Sequence, residues 1–270
     1  MTSNGTDGAG PTRKQRRELA REARRAEEAA QRRAATNRRR LKLGGGALVA
    51  ILIVAVVALV TLRKEGGPAG EALAKSQLKL APLASLGALR PPGEPGPMGP
   101  EQVPIATAPA AATTATKAGG QPVNGIQCST GEQVLFHIHA HLTIFVDGAA
   151  RQVPAGIGIP NAQAEKTPVG EYVGSGNCFY WLHTHAADGI IHTESPVQRV
   201  YTLGNFFEIW GQPLSPTQVG PARGPVTALY DSQRYLGDPR NIPLTAHAQI
   251  QLEVGRPLVA PQVIEFPAGL

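Results

Sequence analysis

Charged and aromatic residues are both scarce in this chain of 270 residues. Charged residues make up 17% of it and aromatic residues 5%, against 42% hydrophobic residues. That balance argues against a fully disordered chain and against a multi-span membrane protein. Methionine occurs only at Met1 and Met98, and cysteine only at Cys128 and Cys178. A blue-copper site is therefore not expected, because it needs Cys, His and usually Met near one loop.

Glycine and proline, in contrast, are abundant, with 31 and 24 residues. Both interrupt regular helices, so long parts of the chain are expected to be linker or turn-rich β structure rather than a helical bundle. We therefore expect one modest folded domain that is smaller than the chain length suggests.

The net charge is unevenly distributed. Residues 1–42 contain 13 Lys/Arg and 5 Asp/Glu, a balance of +8, and the remaining 13 basic and 15 acidic residues give −2, for a total of +6. The basic block has no aromatic residues that could stack on bases, so we expect no nucleic-acid partner. We expect residues 1–43 to form a basic helical segment beside a membrane surface, and partner binding by this segment is the weaker alternative.

An uncharged run of 19 residues follows at 44–62, GGGALVAILIVAVVALVTL. At 1.5 Å per residue a helix of this length spans roughly 28 Å, enough to cross the hydrocarbon core of a bilayer. The basic leader before it is too long for a cleaved signal peptide, which predicts an uncleaved signal anchor with a single transmembrane helix. The excess of basic residues before the run predicts that residues 1–43 are cytoplasmic and that the rest of the chain lies outside the plasma membrane.

Residues 63–122 are rich in Ala, Pro, Gly and Thr, which is typical of a tether. The run LKLAPLASLGAL at 78–89 is more apolar than a free linker. We expect part of this run to lie against the membrane surface or against the folded domain, and the sequence does not distinguish the two.

The folded domain is predicted at 123–270 and lies outside the membrane. Apolar and polar residues alternate at 136–146 and at 244–254, which predicts half-buried strands. The run NFFEIWG at 205–211 predicts one short helix that Asn205 caps and Gly211 ends. The fold class is therefore mainly β, an antiparallel β sandwich or small barrel with one short helix, preceded by the transmembrane helix.

All seven histidines lie in this domain, and six of them fall in two short runs, HIHAH at 137–141 and HTHAADGIIHTE at 183–194. In a strand, residues i and i+2 project from one face about 6.6 Å apart, a spacing that two imidazoles can close around one ion. The clustering therefore predicts a metal site.

The second run allows a sharper prediction, because Asp188-Gly189 is a favoured two-residue hairpin turn. Such a turn pairs residues whose numbers add to 377, so that His185 faces His192 and His183 faces Glu194 on one side of the sheet. Three imidazoles and a carboxylate suit a divalent transition metal, most naturally Cu or Zn. Three further histidines could complete this site or form a second one: His137, His139 and His141.

Two alternatives need no metal. A histidine close to Trp181 and Phe179 can be a hydrogen-bonded core residue, and a histidine cluster can sense acidic pH. His247 stands alone on the polar side of its strand and is not expected to be a ligand.

Cys128 and Cys178 both lie on the predicted external side, where thiols oxidise, so we expect a disulfide between them. The bond would hold the two histidine runs near each other. Thiolate ligation is the alternative, but neither cysteine belongs to a CxxC motif or lies within a few residues of a histidine.

Three phrases carry a resemblance: HIHAHLTIFVDG, CFYWLHTHAADGIIHTES and YTLGNFFEIWGQPLS. From about residue 78 onward, the chain resembles a group of uncharacterised membrane-tethered bacterial proteins, many of them actinobacterial. The resemblance implies a tethered external domain and no particular activity. A cupin fits poorly, because its HxH motif is followed by a Glu four or five residues later, whereas here the order is HxH, six residues, His, one residue, Glu.

Three functions are compatible with these observations. The first is metal capture, storage or handover at the cell envelope through the histidine cluster. The second is a metal-dependent hydrolase or oxidase that uses the same ligands with one open position, for which Asp188 and Glu194 are candidate bases. The third is a structural or protein-binding envelope module without metal.

Overall fold

The computed structural model of the chain describes residues 67–114 and 119–270. The predicted cytoplasmic segment, 1–43, and the predicted transmembrane helix, 44–62, lie outside the described residues. Within those residues, no helix is both long enough and apolar enough to cross a membrane.

The described residues are mainly β, with two α-helices and two short 3₁₀ turns. The helices are α1 (Pro68–Ser76) and α2 (Leu203–Trp210), and the 3₁₀ turns are Leu83–Leu86 and Pro239–Asn241. The strands are β1 (Leu80–Ala81), β2 (Cys128–Ser129), β3 (Phe136–Val146), β4 (Ala149–Arg151), β5 (Gln163–Thr167), β6 (Gly170–Ser175), β7 (Phe179–Tyr180), β8 (Leu182–His183), β9 (Ile190–Ser195), β10 (Tyr201–Thr202), β11 (Leu214–Ser215), β12 (Gln218–Val219), β13 (Ala222–Arg223), β14 (Val226–Tyr230), β15 (Gln233–Tyr235), β16 (Pro243–Leu244) and β17 (Gln249–Val254).

The main sheet has eight strands and is mixed. Its order is β1-β15-β14-β17-β3-β9-β8, and β4 pairs with the end of β3. Strands β3 and β17 run parallel at its centre, with Leu142 beside Ile250, while β3 and β9 are antiparallel. The prediction of an antiparallel sheet is therefore wrong at this central pair. A parallel pair needs a long crossover connection, and alternation within each strand does not reveal it.

The main sheet does not close into a barrel in the described part of the chain, because β1 and β8 are its two ends. The remaining strands form four small sheets. The mainly β prediction is confirmed and the barrel alternative is not.

The core lies on the face of β3 that the alternation predicted to be apolar, where Ala140, Leu142 and Ile144 are buried. Helix α2 contributes Phe206, Phe207 and Trp210 to the same core, together with residues of β8 and β9.

Helix α2 confirms the predicted short helix and its end but not its start. Gly211 adopts the left-handed conformation after the last turn, at φ 71°. The cap is Thr202, not Asn205: Thr202 Oγ1 accepts from Asn205 N, and Asn205 Oδ1 accepts from Thr202 N. This reciprocal capping box places the start of the helix, Leu203, before the predicted position.

The predicted tether, 63–122, packs against the β domain where it is described. Strand β1 extends the edge of the main sheet beside β15. Leu86 packs with Leu229 and Leu258, and Val103 is fully buried. The apolar run at 78–89 therefore lies against the folded domain, one of the two expected locations.

Cys128 and Cys178 form the predicted disulfide. Cys128 belongs to β2, which pairs with β7 immediately after Cys178. The bond therefore ties the segment before β3 to the strand that leads into β8.

Candidate metal centre

The second histidine run forms a hairpin whose register differs from the predicted one. His183 lies opposite His192, and Leu182 lies opposite Thr193, so paired numbers add to 375 rather than 377. The connection is a six-residue loop, 184–189, and not a two-residue turn at Asp188-Gly189. Because side chains alternate with a period of two, a shift of two keeps the predicted residues on one face of the sheet.

A third strand brings the first histidine run to the same face. His139 on β3 lies opposite His192 on β9, and His137 lies opposite Glu194. His139, His192 and His183 therefore form a row across β3, β9 and β8. His185 belongs to the loop after β8, and its ring returns toward the row, with its centroid 4.6 Å from that of His192.

The rings of His183 and His185 are oriented by main-chain carbonyls. His183 Nδ1 donates to the carbonyl oxygen of Tyr180 at 2.8 Å, and His185 Nδ1 donates to that of Val173 at 2.6 Å. A carbonyl can only accept, so Nδ1 carries the proton in both rings. The two Nε2 atoms, 3.1 Å apart, then face each other with their lone pairs.

Two carboxylates contact the rings from other directions. Glu194 Oε1 lies 3.2 Å from His137 Nε2 and 3.5 Å from His192 Nδ1, and Glu194 Oε2 lies 3.9 Å from His183 Nε2. His192 Nε2 donates to Glu101 Oε1 at 2.7 Å. Glu101 belongs to the described part of the predicted tether, so this segment covers the centre.

Aromatic side chains close the other sides. The Tyr172 ring stacks on the His185 ring with 5.0 Å between their centroids. The rings of Phe179 and His183 meet edge to face, with their centroids 5.6 Å apart. His183, His185, His192 and Glu194 are all between 0 and 5% exposed. An ion held among them would be shielded from solvent.

Burial keeps most of the rings neutral. Desolvation, with repulsion from neighbouring histidines, lowers the pKa of His183 well below its ordinary value and also lowers that of His185. It lowers the pKa of His139 to about 3. His192 is the exception: desolvation opposes its charge, but the hydrogen bond to Glu101 and the nearby carboxylate of Glu194 outweigh that effect and raise its pKa to about 9.

Two groups of side chains could hold a metal ion. The first, which we call the inner group, is His183, His185, His192 and Glu194; the second, the outer group, is His137, His139 and His192. Within each group the ligand atoms lie within 4.8 Å of one another. Imidazole nitrogens with a carboxylate oxygen are a donor set for transition metals rather than for Mg²⁺ or Ca²⁺.

Two of the predicted site residues lie apart from these groups. His141 Nε2 bonds the main-chain oxygen of Asp188 at 2.9 Å, and its ring lines a cavity together with Thr143 and Arg151. Asp188, a candidate base, accepts from the main-chain nitrogen of Ile190, and burial raises its pKa to about 7. Neither residue belongs to the inner or the outer group.

Sequence reasoning missed two acidic residues. Glu101 bonds His192, and Glu132 Oε1 lies 3.6 Å from His185 Nε2. Glu101 is an isolated acidic residue in a Pro- and Gly-rich stretch, and no local pattern marks it as part of a site. His247, which was not expected to be a ligand, bonds the main-chain oxygen of Leu270 and stacks on Phe266.

Comparisons with models of protein families, with curated proteins and with solved structures gave no match for this chain.

Proposed function

We propose that the protein binds a divalent transition metal in the inner group and serves metal capture, storage or handover at the cell envelope. The observation that carries this proposal is the pair of His183 and His185 Nε2 atoms, 3.1 Å apart, with both Nδ1 atoms bonded to carbonyls.

Two lone pairs that face each other at this distance repel unless a cation lies between or beside them. A proton is disfavoured, because burial lowers the pKa of both rings. A metal ion is favoured, since two nitrogens bound at about 2.0–2.1 Å in a tetrahedral arrangement lie roughly 3.3 Å apart. The two Nε2 atoms therefore lie close to the spacing that a bound ion requires.

The surroundings of the rings also support metal binding. Imidazoles that bind metals commonly donate their second N–H to a carbonyl or carboxylate, which fixes the tautomer and the ring orientation. Tyr180, Val173 and Glu101 supply such acceptors for His183, His185 and His192. Three imidazoles and one carboxylate favour Zn(II) or Cu(II).

Burial favours a holding role over a catalytic one. A metal-dependent hydrolase or oxidase needs a coordination position that water and substrate can reach. The inner group offers four buried donors, enough to complete a tetrahedral site without water. Capture, storage or handover therefore fits the site better than hydrolysis or oxidation.

The location at the envelope rests on the sequence and on the disulfide. The uncharged run at 44–62 and the basic residues before it favour a single span with the β domain outside. The Cys128–Cys178 bond is in accord with an oxidising compartment.

Titration of the metal-free full chain in detergent with Zn²⁺ or Cu²⁺ tests the proposal. We expect saturable binding and a higher unfolding temperature, because a ligand that binds only the folded state stabilises it. An unfolding temperature that neither metal nor chelator changes would contradict the proposal and favour a structural module without metal.

A further inference from the structure

The geometry points to a dinuclear centre: the cluster binds two divalent ions, one in the inner group and one in the outer group, and the Glu194 carboxylate bridges them. This inference rests on the proposed function and extends it, because a single ion in the inner group would already satisfy that proposal.

One ion cannot reach all the donors of the cluster. Ligands of one ion at about 2.0–2.2 Å lie at most roughly 4.4 Å apart. Among the described residues, no group of donor atoms that lie within 4.8 Å of one another contains both His137 and His183. The donors accordingly fall into two groups that share His192. Because its Nε2 donates to Glu101, His192 offers only Nδ1 and serves one of the two ions, and the Glu194 carboxylate supplies the further donor of the other.

The Glu194 carboxylate lies between the two groups, and its oxygens approach different members. Oε1 is 3.2 Å from His137 Nε2 in the outer group, and Oε2 is 3.9 Å from His183 Nε2 in the inner group. Oε2 is buried and has no hydrogen-bond partner in the described part of the chain. In two-metal sites the ions lie about 3.5–4 Å apart, a separation that one bridging carboxylate can span.

The His139 ring supplies a second, independent observation. It is 5% exposed, and its Nε2 atom is buried without a hydrogen-bond partner among the described residues. The rings of His137, on the same strand, and His192, on β9, each lie with their centroid 4.6 Å from that of His139. A buried polar atom normally has a partner. An ion held between His137 and His139 supplies one.

The two positions differ in access to solvent. The side chain of His137 is 37% exposed, whereas the inner group is buried. The outer ion is therefore the one that exchanges readily with solvent or with a metal donor, and the inner ion is held more tightly. Because the outer ion exchanges more readily than the inner one, metal enters and leaves the cluster through the outer group.

Zinc bound at saturating free Zn²⁺, counted by equilibrium dialysis of the full chain in detergent, tests the inference, because removal of the excess would also remove a readily exchanging outer ion. We expect two zinc ions per chain in the wild type and one in His137→Ala, a substitution at a side chain that is 37% exposed and outside the buried core. His247→Asn, a histidine substitution outside both groups, should keep two. One zinc ion in the wild type would overturn the dinuclear centre and leave the proposed function standing, whereas none would overturn both.

The electron paramagnetic resonance of Cu²⁺ provides a readout that a merely structural role of His137 would not move. The first equivalent of Cu²⁺ should give the signal of an isolated ion. The second should give magnetic coupling with a half-field transition, and His137→Ala should abolish that coupling. Two uncoupled Cu²⁺ signals in the wild type would overturn the shared carboxylate bridge.

Discussion

Individual histidines in this protein differ chiefly in what their second ring nitrogen contacts. His183 and His185 each give one nitrogen to a carbonyl and direct the other at the cluster. His141 directs Nε2 at the main chain of Asp188, and its ring lies outside both groups. A histidine with one nitrogen bonded to a carbonyl is therefore a ligand candidate only where its second nitrogen lies close to other donors, as in His183 and His185 but not in His141.

Replacing His185 should weaken metal binding because it removes one of the two nitrogens that face each other. We expect His185→Asn to lower the affinity for Zn²⁺ by about 10-fold or more, measured by competition with a chelator of known affinity. His247→Asn is the matched control, because Asn tolerates the positive φ of 58° at that position. Equal affinities of the two variants would contradict the assignment of His185.

Glu101 should matter although it contacts only another ligand. Glu101→Gln removes the carboxylate that accepts from His192 Nε2, and loss of such a partner typically costs about 10- to 100-fold in metal affinity. Glu94→Gln, an exposed position in the same segment, should have no effect. The account of Glu101 fails if both variants bind Zn²⁺ as the wild type does.

The sequence could predict the inner group but not Glu101, the carboxylate that accepts a hydrogen bond from His192. Alternation placed His183, His192 and Glu194 on one face, and that result survived a wrong turn because the register error was two residues. Glu101 lies 91 residues before His192 in the chain. Only tertiary packing of a Pro-rich segment brings the two together, and local patterns carry no information about such contacts.

At the scale of elements, strand β8 is held by the loop that precedes β5. Main-chain bonds join Tyr180 N to the Gly158 oxygen and Thr184 N to the Ile157 oxygen. Gly158 has φ +76°, and a Cβ there would lie 2.4 Å from the Leu182 oxygen and 3.1 Å from the His183 Cβ. The absence of a side chain at Gly158 therefore allows this loop to approach His183.

Gly158→Ala should both destabilise the fold and weaken metal binding, because the new Cβ must displace β8. Overpacking of this kind costs about 1–3 kcal/mol, which denaturant unfolding of the metal-free chain would measure. Gly93→Ala, where a Cβ meets nothing within 4 Å, is the control. An unchanged Zn²⁺ affinity in Gly158→Ala would show that the loop does not position His183.

The disulfide should contribute substantially to stability because it closes a loop of 50 residues. In the chain-entropy model, Cys128→Ala/Cys178→Ala loses about 4 kcal/mol, which lowers the unfolding temperature by roughly 8–16 °C. Reduction of the wild type should produce the same decrease in thermal unfolding. A loss below about 1 kcal/mol would show that the unfolded chain is not the state that the bond constrains.

The elements were more predictable than their pairing. Alternation identified β3, and Gly211 marked the end of α2. The strand predicted at 244–254 is confirmed only from Gln249 onward, because residues 245–248 form a turn after β16. The parallel contact of β3 with β17 joins residues about a hundred positions apart, such as Leu142 and Ile250. Its direction depends on the whole path of the chain between them, which neither strand encodes alone.

At the scale of the whole molecule, the buried histidines make stability depend on pH. In the unfolded chain their pKa is near 6.5, whereas burial lowers the pKa of His139 to about 3 and that of His141 to about 4. Between these values the unfolded state binds more protons, so stability decreases as the pH falls below about 6.5. The contribution of His192 to stability depends on pH in the opposite direction. Its raised pKa stabilises the fold fully below about pH 6.5, and that stabilisation is lost as the pH rises through about 9.

The metal-free chain should therefore unfold at a lower temperature at pH 5 than at pH 7. The four histidines with a lowered pKa outnumber the three groups whose raised pKa acts in the opposite direction, His192, Asp188 and Glu253. Zn²⁺ should bind more weakly at pH 5 as well, since protons compete for the same nitrogens. Thermal unfolding at the two pH values, with and without Zn²⁺, measures both effects. If the unfolding temperature of the chain without Zn²⁺ is the same at pH 5 and at pH 7, the buried histidine rings are not neutral as described.

The most direct test of the central claim is anomalous diffraction at the zinc edge from crystals of the Zn²⁺-loaded chain. We predict a peak bonded to both His183 Nε2 and His185 Nε2 at about 2.0–2.1 Å. Zinc peaks found only elsewhere on the molecule, with these two nitrogens still 3.1 Å apart and no ion bound to either, would contradict it.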